Sequence, residues 1–307
     1  MMISRFARKL PALSMEQREN IAGWLFVSPA ALGLLIWTLV PVIASLGLSF
    51  TQYSVLRPPT YVGAENWVEM FTKDVRFIDA IKVTFRFVAM QLPPGLLIAL
   101  GIAVLLNSRS RGMTLFRTMF YLPAMVPSVA TALLWAWILS FDHGLANHFV
   151  KLLGFKSVNW LGDPRSALPS LAVMSWWGVG PTAVIFLAAL LSVPPSLYEA
   201  AQIDGAGAFR RFWSITLPSI SPTIFFNVVM GLIGSFQYFT NAYLLTAGGP
   251  MRTTLFYNLY LFLIAFRYLK MGYACALAWV LFAIILILTL LVFRSSALWV
   301  YYETEVR

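Results

Sequence analysis

The chain has 307 residues, 60% of them hydrophobic and only 11% charged, with a formal net charge of +10. A water-soluble domain carries about 25% charged residues, so too little charge is present to clothe a globule of this size. The Lys and Arg are scattered between apolar blocks and form no basic face, and no nucleic-acid motif accompanies them.

Six apolar blocks are long enough to cross a bilayer. They lie near 24–50, 77–107, 118–140, 168–192, 223–246 and 272–293. The predicted fold class is all-α: a polytopic membrane protein of about six transmembrane helices. A tail over 1–23 precedes a membrane domain over 24–296, and a second tail covers 297–307. The first block is too long for a signal-peptide core and no clear cleavage site follows it, so it reads as a retained span. Arg5, Arg8 and Lys9 stand before it.

Pro29 and Pro41 fall in the first block, Pro93 and Pro94 in the second, Pro123 and Pro127 in the third, and Pro181 in the fourth. Prolines kink membrane helices. A moving pore and simple packing variety account for them equally well. Lys82 and Arg86 stand near one end of the second block, where long side chains snorkel. The block cores themselves carry no ionisable group, so no carboxylate or histidine is placed to carry a coupling ion. The same absence favours a neutral solute over a phosphorylated or cationic one. Cys275 is the single cysteine and lies in the last block. His143 and His148 share a loop and read as a solvated pair, with no metal cluster around them. The apolar segment 257–266 is too short to span, and reads as an interfacial or partial helix leading into the last block.

An even number of spans puts both termini on one side. The charge bias is weak overall. The N-terminal tail and the tight 107–117 loop, with Arg109, Arg111 and Arg117, place that side in the cytoplasm.

The 193–222 segment is polar and orderly between two apolar blocks. Pro194 and Pro195 end the fourth block. Ser196 and Glu199 have the spacing of a capping box, and Gly205 is placed to stop the helix they start. A second short helix is predicted over 208–215, carrying Arg210 and Arg211. The product is a helix-turn-helix on the membrane surface. Small Ala200 and Ala201 permit close approach, and Glu199, Asp204, Arg210 and Arg211 supply charge for docking or for bracing the turn.

Glu199-Ala-Ala, Asp204-Gly three residues on and a closing Ile215-x-Leu-Pro218 resemble the EAA motif of ABC importer permeases. The resemblance extends over nearly the whole chain. Tyr121-Leu-Pro123, Gly144-Leu-Ala-Asn147, Trp160-Leu-Gly-Asp-Pro164, Leu244-Leu-Thr-Ala-Gly-Gly-Pro250, Thr253-Thr254 and Met271-Gly-Tyr-Ala-Cys-Ala-Leu277 are similar to the carbohydrate branch of these permeases, of maltose and lactose type. Ala247 stands where the family often has another Gly.

The resemblance implies that Glu199, Ala200, Ala201, Asp204, Gly205, Ala206, Arg210, Phe212, Ile215, Leu217 and Pro218 form coupling helices gripped by a cytoplasmic ATPase. It implies two ABC ATPase subunits, a second permease that is usually a different chain, and an extracytoplasmic solute-binding protein. It further implies a bacterial inner-membrane location, with both termini cytoplasmic. The chain has no Gly-Lys pair and hence no P-loop. It is therefore expected to be no enzyme and to hold no cofactor, with ATP and Mg bound by the ATPase partner.

For the solute path, Asn227, Ser235, Gln237, Tyr238, Thr240 and Asn241 form a polar stripe in the fifth block. Amides and tyrosines hydrogen-bond sugars, and the same groups glue helices together. Gln237 and Asn241 are expected one turn apart on one face. Trp176 and Trp177, with Trp135 and Trp137, are aromatic candidates for the path or for lipid-facing packing. Competing expectations are a permease of the same superfamily for another solute such as glycerol phosphate, and an ion-coupled transporter acting alone. A membrane enzyme is a third, and no paired acids or nucleophile arrangement in the blocks supports it.

Overall fold

Prolines decide where the membrane helices bend. The computed structural model describes residues 14–108 and 112–301. Arg5, Arg8, Lys9, Arg109 and Arg111 lie outside the described residues.

Four helices are long and apolar enough to cross a membrane unaided: Met15–Leu48 (span one), Val75–Leu106 (span two), Ser221–Leu245 (span five) and Met271–Trp299 (span six). Two bent pairs complete a set of six. Span three is Met113–Met125 with Ser128–Ile138, bent by 96°, and span four is Ala167–Trp176 with Gly180–Ser192, bent by 44°. In span three, Val126 is extended because it precedes Pro127, and the proline ring excludes the helical conformation from the residue before it. In span four, Pro181 begins the second half, where its missing N–H is not needed. In span one a π-helical stretch, Leu35–Leu39, runs up to Pro41. Pro41 cannot donate to the carbonyl four residues back, and the bonding register widens.

Span two is the central post, packing against both halves of span four and against span five. Ala99 and Ala103 are fully buried against Ala183, Phe186 and Leu190. Side chains this small let membrane helices approach closely. Span one stands apart, with Trp24, Phe26 and Trp37 74%, 88% and 81% exposed. It meets the body through span six, where Trp279 Nε1 donates to Ser45 Oγ at 3.1 Å.

The connections opposite the 193–222 loop hold structure that the block pattern did not reveal. Thr51–Ser54 and Arg57–Tyr61 form an antiparallel hairpin, the one sheet among the described residues, and the helix Glu65–Thr72 follows. Between spans three and four, Asn147 is 1% exposed and staples its loop. Its amide donates to Phe141 O and Val158 O and accepts from Val158 N and Trp160 Nε1. The Gly-Leu-Ala-Asn and Trp-Leu-Gly-Asp-Pro pieces read separately in the sequence are thus two sides of one knot.

After span five the chain turns sharply, with positive φ at Ala247, Gly248, Met251 and Arg252. Thr254 Oγ1 ties the turn to Thr246 Oγ1 and to Gly249 O. The segment at 257–266 is a short helix, Tyr257–Phe262, prolonged by a π-helical Leu263–Arg267. It is buried as a wedge: Tyr257 N–H donates to Thr84 Oγ1 of span two, and Tyr257 Oη to Leu277 O of span six.

Candidate functional site

The 193–222 loop folds as two short helices projecting from one end of the bundle. The first, Pro195–Ile203, begins two residues earlier than the capping-box spacing implied. Pro194 occupies the cap position and no side chain caps the helix, so Ser196 and Glu199 do not form the predicted box. Pro195 at the first helical position starts the helix without a box, because its φ is already helical and it adds no unpaired N–H of its own. Glu199 is left exposed for another purpose.

Gly205 ends this helix as predicted, with φ +74°. Its N–H donates to Gln202 O and the Ala206 N–H reaches back to Ala201 O, so two end carbonyls are satisfied across a left-handed residue. The second helix starts at Ala208 and continues through a π-helical Phe212–Thr216 to Leu217–Ser219, past the predicted end at 215. Pro218 lacks the N–H that would close on Ser214 O, which widens the turn before it, as Pro41 does in span one.

A hydrogen bond absent from the sequence reading locks the pair: Tyr198 Oη lies 2.9 Å from Thr216 Oγ1. Ionic bracing of the turn, the alternative use of the loop charges, is not realised. Among the described residues Glu199, Asp204, Arg210 and Arg211 form no salt bridge. Glu199, Ala200, Asp204 and Arg210 are exposed, whereas Ala201, Ala206, Arg211, Phe212, Ile215, Leu217 and Pro218 are half-buried and seat the loop. Around the charges Ile203, Phe209 and Trp213 are 88%, 78% and 54% exposed. Unpaired charge mixed with exposed large apolar groups on a rigid projection is a docking surface. At the neighbouring span-two end, Arg117 donates to Leu106 O at 3.0 Å, a cation on a helix C-terminus.

The polar stripe of span five does not stay on one face. The helix Ser221–Phe236 stops, Gln237–Phe239 is irregular, and Thr240–Leu245 resumes. Gln237 and Asn241 are therefore not one turn apart on a single helix, as expected. The aromatic run forces the break. Phe236 packs on Phe85, Tyr238 on Phe87 and Phe256, and Phe239 on Phe262, three directions that one helical turn does not offer. Asn258 Nδ2 donates to the freed Gln237 carbonyl at 3.1 Å.

The candidates separate into two groups. Asn227 is buried and bonds Thr223 O within its own helix. Ser235 Oγ donates to Gln91 Oε1 at 2.6 Å, and Trp176 Nε1 to Gln91 O at 3.1 Å. Gln91, which the sequence reading passed over, thus joins spans two, four and five, and these groups act as helix glue. In the second group, Asn241 Oδ1 and Trp135 Nε1 are buried with no hydrogen-bond partner, and Tyr238 Oη is buried beside Asn241 and Ser175 with no well-formed bond to either. Each such group costs about 1–3 kcal/mol when left unpaired. Tyr238 and Trp135 border one cluster, and Trp177 meets Trp135 edge-on at 6.2 Å. Gln237 is exposed at the break beside them. An interrupted membrane helix with unpaired polar groups has the form of a solute site.

Residues 95–303, from the second half of span two almost to the C-terminus, match the family described as "Binding-protein-dependent transport system inner membrane component". The chain belongs to that family. The permease is 44% identical over 293 residues to the "Probable ABC transporter permease protein YesP" of Bacillus subtilis (strain 168), covering 94% of each chain. It is 31% identical over 261 residues to the "Trehalose/maltose transport system permease protein MalF" of Thermococcus litoralis, covering 84% of this chain and 86% of that one. A crystal structure of a bacterial alginate ABC transporter, in complex with an alginate pentasaccharide-bound periplasmic protein, contains a chain that superposes with a TM-score of 0.81 at 25% identity. That match covers 92% of this permease and 96% of the other chain. The permease is accordingly a membrane component of an ABC transport system, built on the importer-permease fold.

Proposed function

We propose that this permease forms half of the translocation path of an ATP-driven importer for a sugar or oligosaccharide. Its 193–222 loop transmits the motion of a cytoplasmic ATPase. The observation that carries this is the two-helix projection, whose charges form no salt bridge among the described residues and whose Ile203, Phe209 and Trp213 are exposed. A dimer of ATPase subunits below, a second permease beside it and a solute-binding protein above complete the machine. The periplasmic protein in the alginate complex supports the last of these. On this assignment the loop and both termini are cytoplasmic. The hairpin, the Asn147 knot and the 246–256 turn are extracytoplasmic.

ATP closes the two ATPases, the coupling helices move with them, and the spans exchange an inward-facing for an outward-facing packing. Gly205 and the Tyr198–Thr216 bond keep the projection from yielding, so force reaches spans four and five. The sugar passes the span-five break, where Tyr238, Asn241 and Trp135 have hydrogen-bonding capacity to spare. The maltose and alginate relatives support a carbohydrate as the solute.

Co-purification tests the assignment. The tagged wild-type chain, extracted in mild detergent, is expected to carry a P-loop ATPase and a second permease. Phe209→Asp is expected to lose the ATPase and retain the permease. A wild-type chain that purifies alone and moves solute down an ion gradient in liposomes would replace this proposal with an ion-coupled transporter.

A further inference from the structure

Half of the chain's 22 Lys and Arg lie in 49–86, 139–166 and 246–271, on the face opposite the coupling loop. Topology does not call for cations there, since Lys and Arg excess belongs to the cytoplasmic side. Several of them surround a cavity of about 510 Å3 at the N-terminal end of span two. Its floor is made by Tyr260 and Tyr273, whose hydroxyls both donate to Asp74 Oδ2 at 2.5 Å. Asp74 Oδ1 accepts the Arg76 and Phe77 N–H groups. Four donors therefore occupy this carboxylate, and it is spent on structure.

The rim carries Lys73, Arg76, Arg252 and Lys270. Arg252 pairs with Asp79 at 3.2 Å, and Lys270 stands 3.9 Å from Glu69 with both side chains largely exposed, a geometry worth little. Lys73 and Arg76 form no salt bridge among the described residues. The positive charge then continues inward along span two. Arg76, Asp79, Lys82 and Arg86 recur at helical spacing on one side, and Lys82 and Arg86 are exposed with no salt bridge among the described residues. The helix begins at Val75, so Lys82 and Arg86 lie about 10 and 16 Å along it. The sequence reading placed both at the end of a span, snorkelling. An arginine facing lipid at the centre of a span costs about 3 kcal/mol; Arg86 lies outside that centre and bears only part of the cost, which an aqueous wall removes.

We infer that the cavity and the Lys82–Arg86 stripe form an anion-attracting vestibule, and that the solute is an acidic oligosaccharide bearing a carboxylate. This rests on the importer assignment above and narrows its substrate from sugars in general. It also reverses the neutral solute expected from the sequence. Cations without an ion-pair partner among the described residues draw an anion inward and raise its local concentration.

The test uses the complete importer in proteoliposomes with its binding protein. It follows ATP-driven uptake of trigalacturonate, its methyl ester and maltotriose. Wild type is expected to favour trigalacturonate. Uptake of that sugar should fall roughly tenfold in Lys82→Gln/Arg86→Gln, the loss of a charge-assisted contact, and return with Arg86→Lys. The variant's level in the membrane and its detergent melting midpoint should match wild type, which excludes a folding defect. ATP-driven uptake of maltotriose in preference, at equal rates in wild type and variant, overturns the inference and leaves the importer assignment standing. So does a variant that only raises the binding-protein concentration needed for half-maximal ATPase stimulation, since the cations would then serve docking. No ATP-driven uptake of any of the three sugars, with an ATPase that ignores the binding protein, refutes the importer assignment itself.

Discussion

Glu199→Lys is expected to abolish ATP-driven uptake while leaving the permease folded in the membrane. Glu199 is exposed and forms no salt bridge among the described residues, so none of their packing depends on its charge. It sits on the outward side of the Pro195–Ile203 helix, whose fixed geometry comes from Pro195, Gly205 and the Tyr198–Thr216 bond. Removing one partner of a buried charge pair at an interface costs about 2–5 kcal/mol. Since about 1.4 kcal/mol is tenfold in affinity, ATPase binding should weaken on the order of 100-fold. The measurement is uptake together with ATPase co-sedimentation in the same membranes. Loss of both at normal permease levels is the expected result, and normal uptake would remove Glu199 from the interface.

Gly272→Ala is expected to be the most damaging single-methyl addition to the fold. An added Cβ would lie 1.9 Å from Thr51 O and 3.1 Å from Leu48 O. Both obstacles are backbone, so no side-chain rotation relieves them. Span six must then separate from the end of span one, which meets the body there and at Ser45–Trp279. Overpacking costs about 1–3 kcal/mol and occasionally more. At about 2–4 °C per kcal/mol for a large domain, a fall of several degrees in the detergent melting midpoint follows. Gly101→Ala is the matched control. Gly101 is in mid-helix with nothing within 4 Å of an added Cβ, and alanine there should stabilise by up to about 1 kcal/mol. Equal behaviour of the two variants would contradict the close packing of spans one and six.

The membrane helices were legible because apolar block length is a strong signal. The block at 77–107 became Val75–Leu106, and the break at Gly205 followed from glycine chemistry alone. The losses have identifiable causes. Sequence shows a proline but not how far the helix turns at it, so the 96° bend at Pro127 was invisible. The span-five break at 237–239 depends on aromatic partners far along the chain, Phe87 and Phe256 for Tyr238. Gln91 was overlooked because its role comes from Ser235 and Trp176, 144 and 85 residues away. The Ser196–Glu199 cap is not formed because the helix starts at Pro195, two positions before the spacing implied. The hairpin at 51–61 is too short and too exposed to give an alternating pattern.

The central claim is that the 193–222 projection is cytoplasmic and gripped by an ATPase. Its most direct test places a thiol at its outermost apolar position, Ile203→Cys, with the native Cys275 replaced by serine, and probes it with a membrane-impermeant maleimide. The account predicts no labelling in intact cells, labelling in inside-out vesicles stripped of ATPase, and protection when the ATPase is restored. Labelling from outside the cell, or labelling indifferent to the ATPase, would contradict it.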